Sequence, residues 1–211
     1  TMAGFTEARY IASWNGDYWA ELGEGLDSPV YALAVHDGKL IAGGHDFIKS
    51  FDGQSWTDAA ADPQPSGTVR ALIVHKGELF AGGQFVGPSG ATHHNVLKGF
   101  GAQWSPVGNE IFDTLDSSSM GEVRALAIYN DELIAAGSFQ SPGPSIARFD
   151  GHAWQPLGST LGPAAVLSIY SGGLTGGGAF DDGSGGIAHV GSWYDCNIDL
   201  AGGANDDDFV N

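Results

Sequence analysis

Residues 30–56 read VYALAVHDGKLIAGGHDFIKSFDGQSW, and this stretch decides the fold prediction. An apolar run leads to Asp37-Gly38, and the next segment ends in the doublet Gly43-Gly44. A third segment ends in an aromatic residue, and Asp52-Gly53 and then Trp56 follow it. Asp-Gly between apolar runs favours a tight hairpin turn. The stretch therefore predicts four consecutive short strands that pair in an antiparallel sheet.

The same stretch recurs along the chain. Its end has five copies, at residues 11–19 (IASWNGDYW), 48–56 (IKSFDGQSW), 97–104 (LKGFGAQW), 146–154 (IARFDGHAW) and 187–193 (IAHVGSW). Its beginning precedes four of these copies, and only Ala3-Gly4-Phe5 stands before the first. The mean period is about 44 residues, and repeats of about 40 to 50 residues with four strands are typical of propeller blades. We therefore predict an all-β fold, a β-propeller of five four-stranded blades; a fragment of a six- or seven-bladed ring is the alternative.

This repeat resembles kelch repeats and the blades of the galactose oxidase central domain, where a glycine doublet ends one strand and an aromatic residue precedes a tryptophan. The resemblance covers residues 1 to about 195, although Ala136-Gly137 replaces one doublet and the third copy lacks a residue at Gly101. It implies a kelch-like propeller over residues 1–198, followed by an acidic tail, residues 199–211, that is able to supply a closing strand. It leaves function open, because such propellers are protein-binding scaffolds, glycan binders and enzyme cores alike.

The repeated positions also predict the core. Residues 31–35 are apolar at nearly every position, which favours a strand covered on both faces. One repeat position holds a tryptophan in all five copies, which indicates core packing and not a sugar-stacking set: Trp19, Trp56, Trp104, Trp154 and Trp193. Trp14 occupies the position of Phe51 and Phe149 and is expected to pack as they do.

The charge balance narrows the choice of partners. The chain has 25 acidic and 8 basic side chains, and its net charge is −17. Such a surface repels phosphate groups, so we expect no nucleic acid and no anionic membrane as a partner. Apolar runs fall far short of the roughly 20 residues that a spanning helix needs, which predicts no membrane insertion. Cys196 is the only cysteine, so no internal disulfide forms.

Polar residues concentrate in the loops that follow each glycine doublet, and these loops are equivalent in every repeat. They should therefore cluster on one face of the propeller, where loops commonly form the binding surface. The candidate binding residues are His45, Asp46, His93, His94, Asp181 and Asp182. Solvated turns are the alternative interpretation of the same residues.

Little in the sequence indicates catalysis or a metal centre. No nucleophile elbow, phosphate-binding glycine loop or HExxH pattern is present, and we predict no catalytic residues and no cofactor. His36 and His75 occupy a hairpin position where other repeats have Tyr129 and Tyr170, which indicates a flat amphipathic side chain and not a metal ligand. Residues 199–209 resemble a worn dockerin-like calcium loop, which leaves calcium open and implies an extracellular or cell-surface location.

These observations favour a non-enzymatic binding module whose variable loops bind a protein or a glycan. Two alternatives remain at this stage. One is a carbohydrate-active enzyme, a lyase or hydrolase, that works at the channel mouth. The other is a propeller lectin, which would repeat one polar and aromatic pocket between blades.

Overall fold

The computed structural model describes residues 8–59, 66–86, 93–101, 103–109, 111, 121–158, 162–181 and 187–193. In those residues every regular element is a β-strand, and no helix is long and apolar enough to cross a membrane. The chain divides into two compact units, Thr1–Pro106 and Val107–Asn211. The predicted boundary at residue 198 and the predicted closing strand in the tail lie outside the described residues.

The first unit contains three antiparallel sheets, each built from strands that are consecutive in the chain. The first sheet has two strands, β1 (Ala12–Trp14) and β2 (Trp19–Glu21). The other two have four strands each: β3 (Val30–His36), β4 (Lys39–Gly44), β5 (Ile48–Phe51) and β6 (Trp56–Asp58), then β7 (Ser66–His75), β8 (Glu78–Val86), β9 (His93–Phe100) and β10 (Gln103–Pro106).

The second unit has a four-stranded and a three-stranded sheet of the same kind. Their strands are β11 (Glu122–Tyr129), β12 (Glu132–Ser138), β13 (Ile146–Phe149) and β14 (Trp154–Pro156), then β15 (Ala164–Tyr170), β16 (Gly173–Asp181) and β17 (Ile187–Trp193). The prediction of an all-β chain with repeated four-stranded antiparallel sheets is confirmed for the described residues. The count of five blades stays a prediction.

Turn chemistry explains why the strands begin and end where they do. Asp37 and Gly38 both have positive φ, 48° and 72°, as the two-residue hairpin between β3 and β4 requires. The longer β5–β6 turn is held by Asp52, whose Oδ1 accepts the backbone N–H groups of Gln54 and Ser55, both at 2.9 Å. The β13–β14 turn uses Asp150 in the same way.

The glycine doublets allow the first two strands of a sheet to approach closely. Each first strand carries a β-bulge, and in the third sheet the bulge falls between Val69 and Ala71. A Cβ atom on Gly83 would collide with the carbonyl oxygen of Thr68, and one on Gly43 would collide with the side chain of Val69. The doublets are therefore required by packing.

Neighbouring sheets pack through their first strands. Ala32 and Ala34 of β3, together with Leu72 and Val74 of β7, surround a buried cluster that includes Ile41. In the second unit, Leu167 of β15 packs against a cluster formed by Ala127, Tyr129 and other buried residues. At these two junctions, side chains from the first strands of both sheets pack around one buried apolar cluster.

The prediction that residues 31–35 are covered on both faces is wrong. Burial alternates along β3, and Tyr31, Leu33 and Val35 are 46%, 51% and 66% exposed. The opposite face is covered by the next sheet. The reason is that the preceding sheet consists only of β1 and β2 in the described residues and has no counterparts there of β3 and β4, the strands that contact β7 in the next sheet.

The prediction of core packing holds for some of the repeated tryptophans and is wrong for Trp19. Trp56 and Trp154 are buried and Trp104 is half-buried, whereas Trp19 is 61% exposed. The Nε1–H of Trp56 donates to the carbonyl oxygen of Leu22 at 2.8 Å. The Nε1–H of Trp104 donates to the carbonyl oxygen of Ala59 at 3.4 Å, and that of Trp154 to the carbonyl oxygen of Val107 at 2.7 Å. Each acceptor lies three residues after the tryptophan of the preceding repeat.

No preceding sheet supplies such an acceptor to Trp19 among the described residues. Trp14 likewise is 53% exposed where Phe51 is buried, so the expectation that Trp14 packs as Phe51 does is also wrong. The two exposed rings contact each other, with centroids 5.7 Å apart. The side chain of Trp193 lies outside the described residues.

Candidate binding site

His45 and Asp46 lie in the short β4–β5 loop, and this loop contacts the first strand of the next sheet. Asp46 has a φ of 59°, a left-handed conformation that aspartate tolerates better than most residues. The conformation lets the backbone N–H of Asp46 donate to the carbonyl of Gly67 at 2.7 Å, and His45 forms an isolated bridge with Thr68. The loop is therefore fixed to β7 by main-chain contacts.

Side chains add a second layer of contacts at the same place. The Asp46 Oδ1 atom accepts the backbone N–H of Gly67 at 2.6 Å and the hydroxyl of Ser66 at 3.3 Å. His45 Nδ1 lies 3.2 Å from Thr68 Oγ1, and His45 Nε2 lies 3.4 Å from Asp46 Oδ2. Both side chains nevertheless stay open to solvent, with 62% of His45 and 54% of Asp46 exposed.

The predicted pair His93 and His94 begins β9, at the same end of the third sheet. His94 pairs with Phe85, which pairs with Gly67 in turn, and His93 pairs with Val86. Two strand spacings of about 4.8 Å therefore separate the backbone of His94 from that of Gly67. The structure brings the backbones of the four predicted residues in the first unit to one sheet end, which we call the rim: His45, Asp46, Ser66–Thr68, Phe85, Val86, His93 and His94.

The remaining predicted residues belong to the second unit. Asp181 ends β16, where it pairs with Ile187. This is the equivalent sheet end of the last repeat, as the sequence predicted. Asp182 lies outside the described residues, and so do the side chains of Asp181, His93 and His94.

The described part of the chain holds no candidate metal centre. No three His, Cys, Asp or Glu side chains there lie close enough to hold a metal ion. The candidate calcium loop, residues 199–209, lies outside that part. His36, which the sequence marks as structural, is buried with its Nε2 3.0 Å from the carbonyl oxygen of Gly77 and its ring against Phe100.

Two carboxyl groups have lowered pKa values, and both lie in turns that join third and fourth strands. The N–H groups of Ser55 and Gln54 lower the pKa of Asp52, and those of Ala153 and His152 lower the pKa of Asp150. Hydrogen bonds to a carboxylate favour its charged form. These shifts reflect turn stability and not a reaction centre.

A groove that the sequence did not predict lies at the start of the first unit. Its volume is about 400 Å³, and it is lined by residues of the β1 edge and of β3: Tyr10, Ile11, Ala12, Val30, Tyr31, Ala32 and Leu33. The signal in the sequence is the apolar pattern of β3, residues 30–35.

Comparison with known proteins found solved structures that are similar to this chain. No protein-family model and no curated protein matches the chain. The computationally designed Ika4 protein is 20% identical with a TM-score of 0.46, and the match covers 83% of this chain and 98% of Ika4. YCF48 bound to D1 peptide is 15% identical with a TM-score of 0.46, over 87% of this chain and 61% of YCF48.

An extracellular domain of the hybrid two-component system BT4673 from B. thetaiotaomicron is also similar. It is 15% identical with a TM-score of 0.49, and the match covers 86% of this chain but only 24% of that chain. Because these TM-scores are below 0.5, the fold and the function of this chain are inferred from its own residues.

Proposed function

We propose that this chain is a non-enzymatic binding module, a propeller of five kelch-like blades whose rim binds a protein or a glycan. The observation that carries the proposal is that the side chains of His45 and Asp46 are both exposed and held in place. Both side chains are more than half exposed, yet both are held by contacts with Ser66–Thr68 of the next sheet. A polar surface that is already ordered loses little conformational entropy when a ligand binds.

The proposed ligand surface extends from this pair to the equivalent sheet ends. Within the first unit it includes His93 and His94. Asp181 and Asp182 are proposed as the corresponding binding residues of the second unit. Imidazole and carboxylate groups supply both donors and acceptors to a polar ligand. Binding of this kind needs no cofactor, and calcium in the tail stays a separate prediction.

Charge limits the choice of ligand. With a net charge of −17, the chain repels anionic ligands, attracts basic ones and does not oppose the binding of neutral ones. A neutral glycan or a basic protein surface fits this requirement, and nucleic acid does not. A propeller lectin is the glycan form of the proposal, and an extracellular or cell-surface location would give such a module access to glycans.

A glycan array and a hydrolysis and lyase screen on a panel of polysaccharides, both run on the intact chain, test the proposal. We expect binding without turnover, and we expect Asp46→Ala and His45→Ala to lose that binding. His152→Ala is the matched control, since His152 is an exposed histidine in the β13–β14 turn, away from the rim. Turnover that is lost in either rim variant would show that the chain is an enzyme and not a binding module. Unchanged binding in both variants would show that the ligand does not bind at the rim.

One observation favours a hydrolase as the second candidate. Thr68 Oγ1, the His45 ring and the Asp46 carboxylate form a continuous chain of contacts at 3.2 and 3.4 Å, in the order nucleophile, base and orienting acid. The Asp46 carboxylate also accepts the Gly67 N–H, and water reaches both His45 and Asp46, which weakens electrostatic activation. Ester hydrolysis that Thr68→Val abolishes would establish this candidate.

A further inference from the structure

The β1–β2 turn contains Asn15, the only asparagine of the sequence that is followed by a glycine, Gly16. Both residues are exposed. The corresponding turn residues Asp52 and Asp150 are exposed as well, although their strands belong to four-stranded sheets. The exposure of Asn15 is therefore a property of this kind of turn and does not depend on how many strands its sheet contains.

The amide oxygen of Asn15 accepts two main-chain hydrogen bonds. The backbone nitrogens of Asp17 and Tyr18 both lie 3.0 Å from Asn15 Oδ1. The N–H groups at the same two places of the other turns donate to Asp52 Oδ1 at 2.9 Å and to Asp150 Oδ1 at 2.8 Å. Two donors aimed at one carbonyl oxygen stabilise the negative charge that develops there when a nucleophile attacks its carbon.

The backbone nitrogen of Gly16 is the nucleophile that lies next to this carbon in the chain. Its N–H group has no acceptor among the described residues. A Cβ atom placed on Gly16 would meet nothing within 4 Å, so water and base reach the nitrogen without obstruction. One exposed turn thus contains both an accessible nitrogen and an activated carbonyl carbon.

We propose that Asn15 is a modification site that deamidates spontaneously, and that the turn directs the product to aspartate. A base in solution removes the Gly16 amide proton, the nitrogen bonds to Asn15 Cγ, and the bond from Cγ to Nδ2 breaks with release of ammonia. The result is a succinimide. Water then adds to Cγ and breaks its bond to the Gly16 nitrogen, which gives aspartate. The reaction consumes one water molecule and requires no oxidant, reductant or enzyme.

The turn determines which carbonyl carbon of the succinimide reacts with water. Attack at the main-chain carbon gives isoaspartate, the main product in unstructured peptides, and adds a methylene group to the main chain. Attack at Cγ is favoured here, because the N–H groups of Asp17 and Tyr18 stabilise charge on the Cγ oxygen. Aspartate also fits the turn, since Asp52 and Asp150 hold the same turn with a carboxylate.

The other asparagines of the described residues lack this combination. Asn95 is buried and precedes a valine. Asn109 Oδ1 accepts the backbone N–H of Trp154 at 2.7 Å, and the next residue is a glutamate. Asn130 precedes an aspartate. A side chain on the following residue hinders the attack of its nitrogen, so we expect Asn15 to react first.

Storage of the intact chain in mildly alkaline buffer, followed by peptide mapping with mass spectrometry, tests the proposal. Conversion of the amide to a carboxyl group raises the mass of the peptide that contains residue 15. The endoprotease Asp-N cleaves before aspartate and not before isoaspartate, so it identifies the product. We expect Asn15 to react about tenfold faster than any other described asparagine, with aspartate in excess. The capped peptide acetyl-IASWNGDYW-amide, residues 11–19, should give isoaspartate in excess.

Two variants separate the effect of the turn from that of the Asn-Gly sequence. Asp52→Asn creates this sequence in the β5–β6 turn, where Gln54 and Ser55 supply the two donors, and it should deamidate about as fast as Asn15. Asp37→Asn creates it in the β3–β4 hairpin. No backbone N–H donates to the Asp37 carboxylate in the described residues, so this variant should react there about tenfold more slowly, with isoaspartate in excess.

Asn15→Asp reproduces the proposed product, and it should unfold at a urea concentration no lower than that of the parent chain. Four outcomes would overturn the proposal. They are an Asn15 that stays intact while the capped peptide reacts, isoaspartate in excess in the folded chain, equal rates at the new asparagines of Asp52→Asn and Asp37→Asn, and a lower urea midpoint for Asn15→Asp.

Discussion

Trp154→Ala should destabilise the chain more than any substitution of another tryptophan in the described residues. Trp154 is 2% exposed, its Nε1–H donates to the carbonyl of Val107 at 2.7 Å, and its ring contacts Phe149 at a centroid distance of 5.4 Å. Removal of a buried aromatic side chain costs about 3–5 kcal/mol. The Val107 carbonyl also loses its partner, which adds about 1 kcal/mol. We expect a total loss of about 4–6 kcal/mol in the free energy of unfolding.

Two companion variants separate these contributions. Trp154→Phe keeps most of the apolar surface but loses the hydrogen bond, so it should cost about 1–2 kcal/mol. Trp19→Ala is the matched control at the same repeat position. Because Trp19 is 61% exposed, only its contact with the ring of Trp14 is lost, and the cost should stay below about 1.5 kcal/mol.

Urea unfolding followed by far-ultraviolet circular dichroism measures all three variants, with the slope of each transition compared as well as its midpoint. A loss for Trp19→Ala as large as that for Trp154→Ala would refute the reasoning, because it would mean that Trp19 is as well covered as Trp154. A loss below about 1 kcal/mol for Trp154→Ala would show that the indole does not join neighbouring repeats.

Three further predictions follow from the contacts. His36→Tyr should be tolerated, since tyrosine fills this hairpin position in other repeats, whereas His36→Ala should lower the melting temperature because it empties a buried site. Gly83→Ala should destabilise by about 2 kcal/mol or more in the same urea titration, since its Cβ would strike the Thr68 carbonyl. Asp150 has a lowered pKa in the folded chain, so its contribution to stability is present above the unfolded pKa and disappears as the pH falls through the folded pKa. Asp150→Ala should therefore be less stable than the parent chain at neutral pH, and the difference in stability should be smaller in acid.

Local pattern was sufficient to predict the sheets. Asp37-Gly38 predicted a hairpin, and the spacing of the tryptophans predicted the positions of strands such as β10 and β14. These features act over a few residues or repeat at a constant spacing, so a single sequence contains them in full. The sheet ends near His45, Asp46 and His94 followed from the same repetition, because equivalent loops lie at equivalent sheet ends.

Exposure could not be predicted in this way. Trp19 and Trp154 occupy the same repeat position, but the ring is covered only if a neighbouring repeat supplies an acceptor and a packing surface. The face of β3 is a similar case, since Leu33 and Leu72 have equivalent sequence surroundings and different neighbours. The hydrogen bond between the Gly67 N–H and the Asp46 carboxylate was not predicted either. It requires a left-handed residue in one loop to contact a bulged strand of the next sheet.

Amide hydrogen exchange at Asp46 and Gly67 tests the ordered rim most directly, and the proposed binding function depends on that order. Both N–H groups donate within the rim, to the Gly67 carbonyl and to the Asp46 carboxylate respectively. We predict that both amides are protected to the level of neighbouring strand amides, and that Asp46→Ala removes protection from Gly67 alone. Exchange of both amides at the rate of an unstructured peptide in the parent chain would contradict the account.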